Sequence, residues 1–344
     1  MSYGFIVYGP DLKNNFKVTS EEPFFFNAYR DRFDNALMEV ACEAGAIPLL
    51  ERQVKSIDRD SGLFSIGCTK GQTIHSRAVI VATGADDHLV RKYLEQIGSS
   101  PKSIKKEYAV ACYHDFELGE DFITERYGDE RSYLVHLLKF GRYATYGWCF
   151  PKNRTVNIGT GAIVADAKSQ KGGIKGLFVN YIQTLKKQRF LPENAPSTAT
   201  VGGRLPITPV KKSYFDGLLL IGDAAGFVSP LTGEGITFAM ESAKFAAQVL
   251  TEAIKKNDLS EEALALYQTK WRESFGRDLN ILMRMNKSLG RNPDQFVVHA
   301  IKDKVFREYL VGMLTGRMSV YKNRFRMARR TLRNIFIYDV LKLN

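Results

Sequence analysis

At 344 residues with 44% hydrophobic content, the chain is long enough to bury one large core or two modest ones, which excludes a disordered or fibrous protein. A formal net charge of +12 points to an anionic partner, whether nucleic acid, an acidic membrane surface or an acidic protein, without choosing among them. The four cysteines, Cys42, Cys68, Cys112 and Cys149, are widely spaced with no CxxC pair; this excludes a zinc knuckle or a redox dithiol and suits reduced cytoplasmic thiols. No stretch reaches the roughly 18 uncharged apolar residues of a membrane span, and residues 1–30 lack a signal-peptide core. The expectation is a cytoplasmic protein, at most peripheral to a membrane.

Residues 1–26 are mixed, with GFIVYG as a candidate strand. Residues 27–45 place Phe33, Leu37, Val40, Ala41 and Ala44 on one stripe and end at Gly45, which predicts a helix; Arg30 and Arg32 lie at its start. Residues 53–82 hold three β-prone runs separated by DSG and KGQ, a β-meander. The last run, AVIVA, is continuously apolar and is expected at a sheet centre, delivering Gly84 to a ligand crevice. Asp86 and His88 carry no assigned role.

From 107 to 163 aromatic and β-branched runs predict an antiparallel sheet. Within it Tyr146, Trp148 and Phe150 lie two apart and share one face of a strand, an aromatic wall whose competing reading is ordinary sheet packing. Cys149 faces the other way. Residues 173–190 return to helical period. GLLLIGDAAGFVSPLTGEG then reads as a short buried strand, a strand-end carboxylate at Asp223 and a loop with Gly233 and Gly235. The following helix carries a stripe of Ile236, Ala239, Met240, Ala243, Ala246, Ala247, Leu250 and Ile254. The five histidines stand in no metal-ligand or triad spacing, so no metal is expected. Residues 315–344 carry eight Lys or Arg against one Asp, interleaved with apolar residues as on an interfacial helix. Nucleic acid is not the expected partner, since no binding motif accompanies the charge.

The order GD, SPLTGEG, small-residue helix resembles the second flavin-contacting motif of the glutathione-reductase-like FAD enzymes, which include aromatic hydroxylases and the geranylgeranyl reductases. The resemblance implies that Gly222 and Asp223 hold the ribityl hydroxyls while Gly233, Gly235 and Ile236 face the isoalloxazine. Arg30, with Phe33 and Asp34, matches a segment beside the cofactor. At the position of the family's aspartate-glycine pair Thr83 replaces the aspartate, and Gly84 remains as a cofactor contact. The run YGWCFPKNRTVNIGTG resembles a motif typical of geranylgeranyl reductases and implies that Tyr146, Trp148, Phe150 and Pro151 line a channel for an isoprenoid or lipid substrate.

The fold expectation is therefore α/β (α+β overall): a partial, Rossmann-like FAD-binding domain from 1–100 and 200–258, an antiparallel-sheet substrate domain over 101–199, and a helical basic region over 259–344. The implied function is FAD-dependent reduction of carbon-carbon double bonds in an isoprenoid chain. The alternatives are a flavin monooxygenase or halogenase of the same superfamily, or a noncatalytic membrane-associated remnant. No catalytic residue, proton donor or electron donor is assigned. The GxGxxG unit with which such enzymes begin has no counterpart here, and Gly4 and Gly9 do not replace it. The FAD site is thus expected to be incomplete, with one edge of AVIVA unpaired. A truncated or split protein is expected, with a separate N-terminal chain or an electron carrier as partner and an anionic membrane as a further contact.

Overall fold

The computed structural model describes residues 1–195 and 201–342. Along the chain, β1 (Gly4–Tyr8), β2 (Asn15–Thr19) and α1 (Arg30–Glu43) precede the meander β3 (Val54–Asp60), β4 (Leu63–Cys68) and β5 (Thr73–Ser76). Next come β6 (Val79–Val81), α2 (His88–Gln96), β7 (Tyr108–Glu117), α3 (Glu120–Tyr127), β8 (Tyr133–Leu138), β9 (Thr145–Pro151) and β10 (Thr155–Ile163). Helices α4 (Val164–Ser169) and α5 (Gly173–Lys187) lead to β11 (Val201–Pro206), β12 (Tyr214–Phe215), β13 (Leu218–Leu220) and α6 (Ile236–Lys255). The remainder is helical: α7 (Glu261–Trp271), α8 (Arg277–Arg291), α9 (Pro293–Lys302), α10 (Lys304–Leu314) and α11 (Val320–Asn334), which runs on as a π-helix over Ile335–Val340.

The largest sheet has the order β11-β7-β10-β9-β8-β1-β2, with β1 and β8 parallel and the other neighbours antiparallel. Period-two alternation divides its residues between two apolar clusters. Leu134, Cys149 and Ile158 pack with Tyr181 and Leu185 of α5, while Phe5, Val7, Tyr133, Tyr146 and Phe150 pack with residues of α8 to α11. Residues 4–19, assigned by sequence to the nucleotide-binding unit, thus hydrogen-bond into this sheet, because Phe5 to Tyr8 pair with Tyr133 to His136. The domain boundary expected at 199–200 lies outside the described residues, as do the last two residues of the basic segment.

A second sheet has the order β12-β13-β6. The expectation for AVIVA is corrected here: β6 is an edge strand that pairs only with β13 among the described residues, and Ile80 is 43% exposed. The unpaired edge is as expected. Two apolar stripes also differ from their sequence reading. Helix α6 buries Ser242, Ala246, Val249, Leu250 and Ala253, leaving Ile236, Met240 and Ile254 exposed. Helix α1 buries none of its residues. A 14-residue helix is marginal in water without a packed face, and both helices leave apolar side chains uncovered among the described residues.

The C-terminal helices are tied by Asp303, whose Oδ1 caps α10 by accepting from the amides of Val305 at 3.0 Å and Phe306 at 3.1 Å and also accepts from Arg330 Nη2 at 2.7 Å. Burial pushes this carboxyl up, but the Arg330 hydrogen bond and the Phe306 amide outweigh it and hold the pKa at about 2. A depressed folded-state pKa contributes stability above the unfolded carboxylate range that is lost as pH falls from about 4 toward 2. Asp303→Asn is expected to cost roughly 2 kcal/mol at pH 7 and almost nothing at pH 2. Urea unfolding at the two pH values checks this; an equal cost at both would contradict it.

Candidate cofactor and substrate site

Strands β6 and β13 run parallel with Leu220 opposite Val81, and the Ile221 amide donates to the Val81 carbonyl at 3.1 Å. Three residues beyond that pair lie Asp223 and Gly84, so both emerge at the carboxyl end of the sheet, where open α/β sheets bind ligands. Gly84 has φ +69 and an ideal Cβ there meets nothing within 4 Å. Its backbone requires glycine while the space above it stays free.

Gly222 has φ +53, donates its amide to Ser242 Oγ at 3.1 Å, and lies against α6 so closely that a Cβ would come within 3.1 Å of Ala239 Cβ. This close approach fixes the start of α6 beside the strand end. Its N-cap is Gly235, where a Cβ would stand 3.3 Å from Asp223 Oδ1. The carboxylate and the first turn of α6 therefore converge, and no group among the described residues donates a hydrogen bond to that carboxylate. Burial pushes the Asp223 pKa up, opposed by the positive charges of Lys106 and Arg30. The Arg30 guanidinium pairs with Asp34 at 3.0 Å on the exposed side of α1. It faces Asp223 as a charge without contact.

Tyr146, Trp148 and Phe150 do share one face of β9, where Tyr146 and Phe150 join an apolar cluster that includes residues of α8 to α11, and the aromatic stack they belong to is longer than the sequence suggested. Phe25 stacks on Tyr133 with ring centroids 4.3 Å apart, Tyr133 on Phe150 at 4.1 Å, Phe150 on Trp148 at 5.9 Å, and Tyr146 follows at 5.8 Å. The NIGTG run makes room for it. A Cβ on Gly159 would lie 2.2 Å from Trp148 Cζ2, and the indole N–H donates to Asn157 Oδ1 at 2.7 Å across the two strands. The wall abuts the glycine loop, since the Tyr146 hydroxyl donates to the Thr232 carbonyl and a Cβ on Gly233 would be 3.2 Å from that hydroxyl. Pro151 is buried, and its carbonyl accepts from Asn27 Nδ2 at 2.6 Å, so it anchors the approach to α1.

At 31% identity over 294 residues the chain matches the digeranylgeranylglycerophospholipid reductase of Methanocaldococcus jannaschii, covering 85% of this chain and 71% of that protein. The chain belongs to the geranylgeranyl reductase family. No family model matches it. The crystal structure of a geranylgeranyl bacteriochlorophyll reductase-like protein from Thermoplasma acidophilum superposes with a TM-score of 0.70 at 23% identity, over 86% of this chain and 74% of that one. The flavin-dependent brominase Bmp2 superposes with a TM-score of 0.68 at 17% identity, over 96% and 82%. Both likenesses concern the fold. This geranylgeranyl reductase-family chain spans about three-fifths of the length of several other curated relatives.

Two site residues escaped the sequence reading. Lys106, only 6% exposed, donates from Nζ to the Ala224 carbonyl at 3.0 Å, next to Asp223; burial pushes its pKa down while Asp87 supports its charge. Asn286 is buried in α8, accepts from the Ala144 amide at 3.2 Å and donates to the Pro230 carbonyl at 2.7 Å, tying the glycine loop to β9. A lysine before a strand and an asparagine on an amphipathic helix both read as solvated, so neither carried a signal. On the far face of β9, Cys149 lies 3.6 Å from the Tyr181 hydroxyl, which is 2.8 Å from His136 Nδ1. Burial pushes the thiol up to about 12 and the imidazole down to about 3, so both stay neutral and turned away from the wall. Among the described residues no group of three His, Cys, Asp or Glu side chains is placed to hold a metal.

Proposed function

We propose that this chain holds the ribityl and isoalloxazine portion of an FAD site and serves in the reduction of isolated carbon-carbon double bonds of an isoprenoid lipid. The observation that carries this reading is the convergence of the donor-free Asp223 carboxylate with Gly235 at the start of α6, beside a stacked aromatic wall. A carboxylate with vacant acceptor positions suits ribityl hydroxyls. A glycine N-cap lets helix amides approach an electron-rich ring. Gly84, Gly222, Gly233 and Ile236 would border the ring system, and Arg30 would set the charge at its edge. Reduced FAD supplies hydride for such a reaction.

The chain's own contribution is positioning and exclusion of water. Tyr146, Trp148 and Phe150, backed by Tyr133 and Phe25, present flat apolar surface to an unsaturated chain, while Tyr146 couples that surface to the glycine loop. Pro151 acts through the backbone, holding Asn27 and with it the entry to α1. Cys149 is not the proton donor, since its thiol is buried on the opposite face. The pyrophosphate side of the site has no glycine-rich strand-helix unit in this sequence, and the open β6 edge and the bare face of α1 are where such a unit would pack. We therefore read the site as one portion of a whole.

Incubation with FAD, dithionite and a digeranylgeranyl lipid, read by mass spectrometry, tests the activity. The expected result is a gain of two hydrogens per reduced double bond, diminished at least tenfold in Trp148→Ala. Flavin binding with no mass gain, or an oxygenated or halogenated product instead, would overturn it. The halogenase alternative has only a shared fold in its favour.

A further inference from the structure

Helix α11 packs its Val320 and Met327 into the apolar cluster that also holds Phe24, Phe25, Tyr133 and Phe150. Its opposite face is not covered by anything among the described residues: Phe325 is 74% exposed, Leu332 67% and Phe336 57%. These positions are spaced seven and four apart, and Ala328 is exposed between them, so they form one continuous outward stripe. Beside that stripe stand Lys322, Arg326 and Arg329, none of which has an ion-pair partner among the described residues. Arg330 and Arg333, by contrast, turn toward Asp303, and Arg324 lies over the Tyr321 and Phe325 rings. An exposed aromatic and aliphatic stripe bordered on one flank by unpaired cations has the layout of a helix lying in a bilayer interface.

We propose that the outer face of α11 docks on an anionic lipid bilayer, with Phe325, Leu332 and Phe336 entering the acyl boundary and Lys322, Arg326 and Arg329 meeting the headgroup charge. Charge complementarity selects the partner. A second copy of this face would set like charges against each other, and a neutral apolar groove would leave three cations unanswered. No helix among the described residues is long and apolar enough to cross a membrane, so the contact is one of lying on the surface. The inner face of the same helix joins the apolar cluster that also holds aromatic residues of the proposed substrate wall. The inference stands on α11 alone and does not need the cofactor reading.

Co-sedimentation of the full chain with vesicles of phosphatidylcholine containing 30% phosphatidylglycerol, against pure phosphatidylcholine, is the test. The parent is expected to bind the anionic vesicles on the order of 100-fold more tightly, from three cations near a charged surface, with the preference falling as salt rises. The triple change Lys322→Gln, Arg326→Gln, Arg329→Gln should abolish that preference. The triple change Phe325→Ser, Leu332→Ser, Phe336→Ser should abolish binding to both vesicle types. All six positions are exposed, so thermal melting should match the parent. Equal binding to neutral and anionic vesicles, variants that sediment like the parent, or a concentration-dependent dimer disrupted by the serine variant in place of vesicle binding would each overturn the proposal.

Discussion

Asp223→Asn is expected to lower flavin affinity on the order of 30-fold while leaving the unliganded protein as stable as the parent or more so. The loss follows from removing a charge-assisted acceptor, worth about 2 kcal/mol against hydroxyl donors. The neutral or favourable effect on the empty protein follows from burial, which already pushes this carboxyl up and disfavours its charged form. No donor among the described residues is left without its partner by the change. A ligand-binding group held at a cost in the empty fold is the usual exchange of stability for function. The pH dependence has a definite sign. Parent affinity should fall as pH drops through the raised pKa of Asp223 and the acceptor is protonated, whereas the asparagine variant should be flat over that range. Fluorescence titration with riboflavin and with FAD also separates the two portions of the site: the variant should lose the same factor for both, since both carry the ribityl chain. A parent that binds FAD more than 100-fold tighter than riboflavin would contradict the reading that the pyrophosphate side is supplied elsewhere.

Gly226→Ala is expected to abolish soluble folded protein or to destabilise it by roughly 3 kcal/mol or more. Gly226 closes the turn that follows Asp223, donating its amide to the Asp223 carbonyl at 2.9 Å with φ +75. An added Cβ would stand 2.1 Å from the Thr208 carbonyl oxygen and 2.9 Å from its carbon. Backbone cannot swing aside as a side chain can, so left-handed strain and steric overlap add. Gly203→Ala is the control: it lies on the exposed edge strand β11 with nothing within 4 Å of an added Cβ, and its urea midpoint should stay close to the parent's. Equal midpoints for both variants would show that the turn yields where the geometry says it does not.

Local order was readable wherever a residue pattern decides its own conformation. DSG and KGQ turns delimit β3 to β5 as expected, and the two-residue spacing of Tyr146, Trp148 and Phe150 does place all three on one face of β9. What a periodic stripe does not encode is its partner. In α1 the stripe is real and nothing among the described residues covers it; in α6 the alanine-rich stripe is rotated, with Ala246 and Leu250 buried and Met240 left outside. The apolar run AVIVA suggested a central strand because hydrophobicity reports burial of faces, while pairing of edges depends on which other strands exist. The parallel pairing of β1 with β8 joins residues about 128 apart (Phe5 with Tyr133), a non-local choice no local pattern foretells. Lys106 and Asn286 stayed hidden for the same reason, since polar residues become structural only through a fold that supplies them with partners.

The Gly159 notch beneath Trp148 gives the protein a built-in spectroscopic marker. Of its two tryptophans, Trp148 lies in the seven-stranded sheet against Tyr146 of the same strand, whereas Trp271 is buried among Phe227, Phe275 and Leu279 beside the sheet β12-β13-β6. Replacing one indole by phenylalanine leaves a single emitter, in one layer or the other, so that the two variants together follow denaturation separately in the two halves. Coincident curves would make the open-edged sheet and the aromatic sheet one cooperative unit. Displaced curves would measure how far the uncovered half melts ahead of the other, a quantity that any added strand-helix unit should shrink.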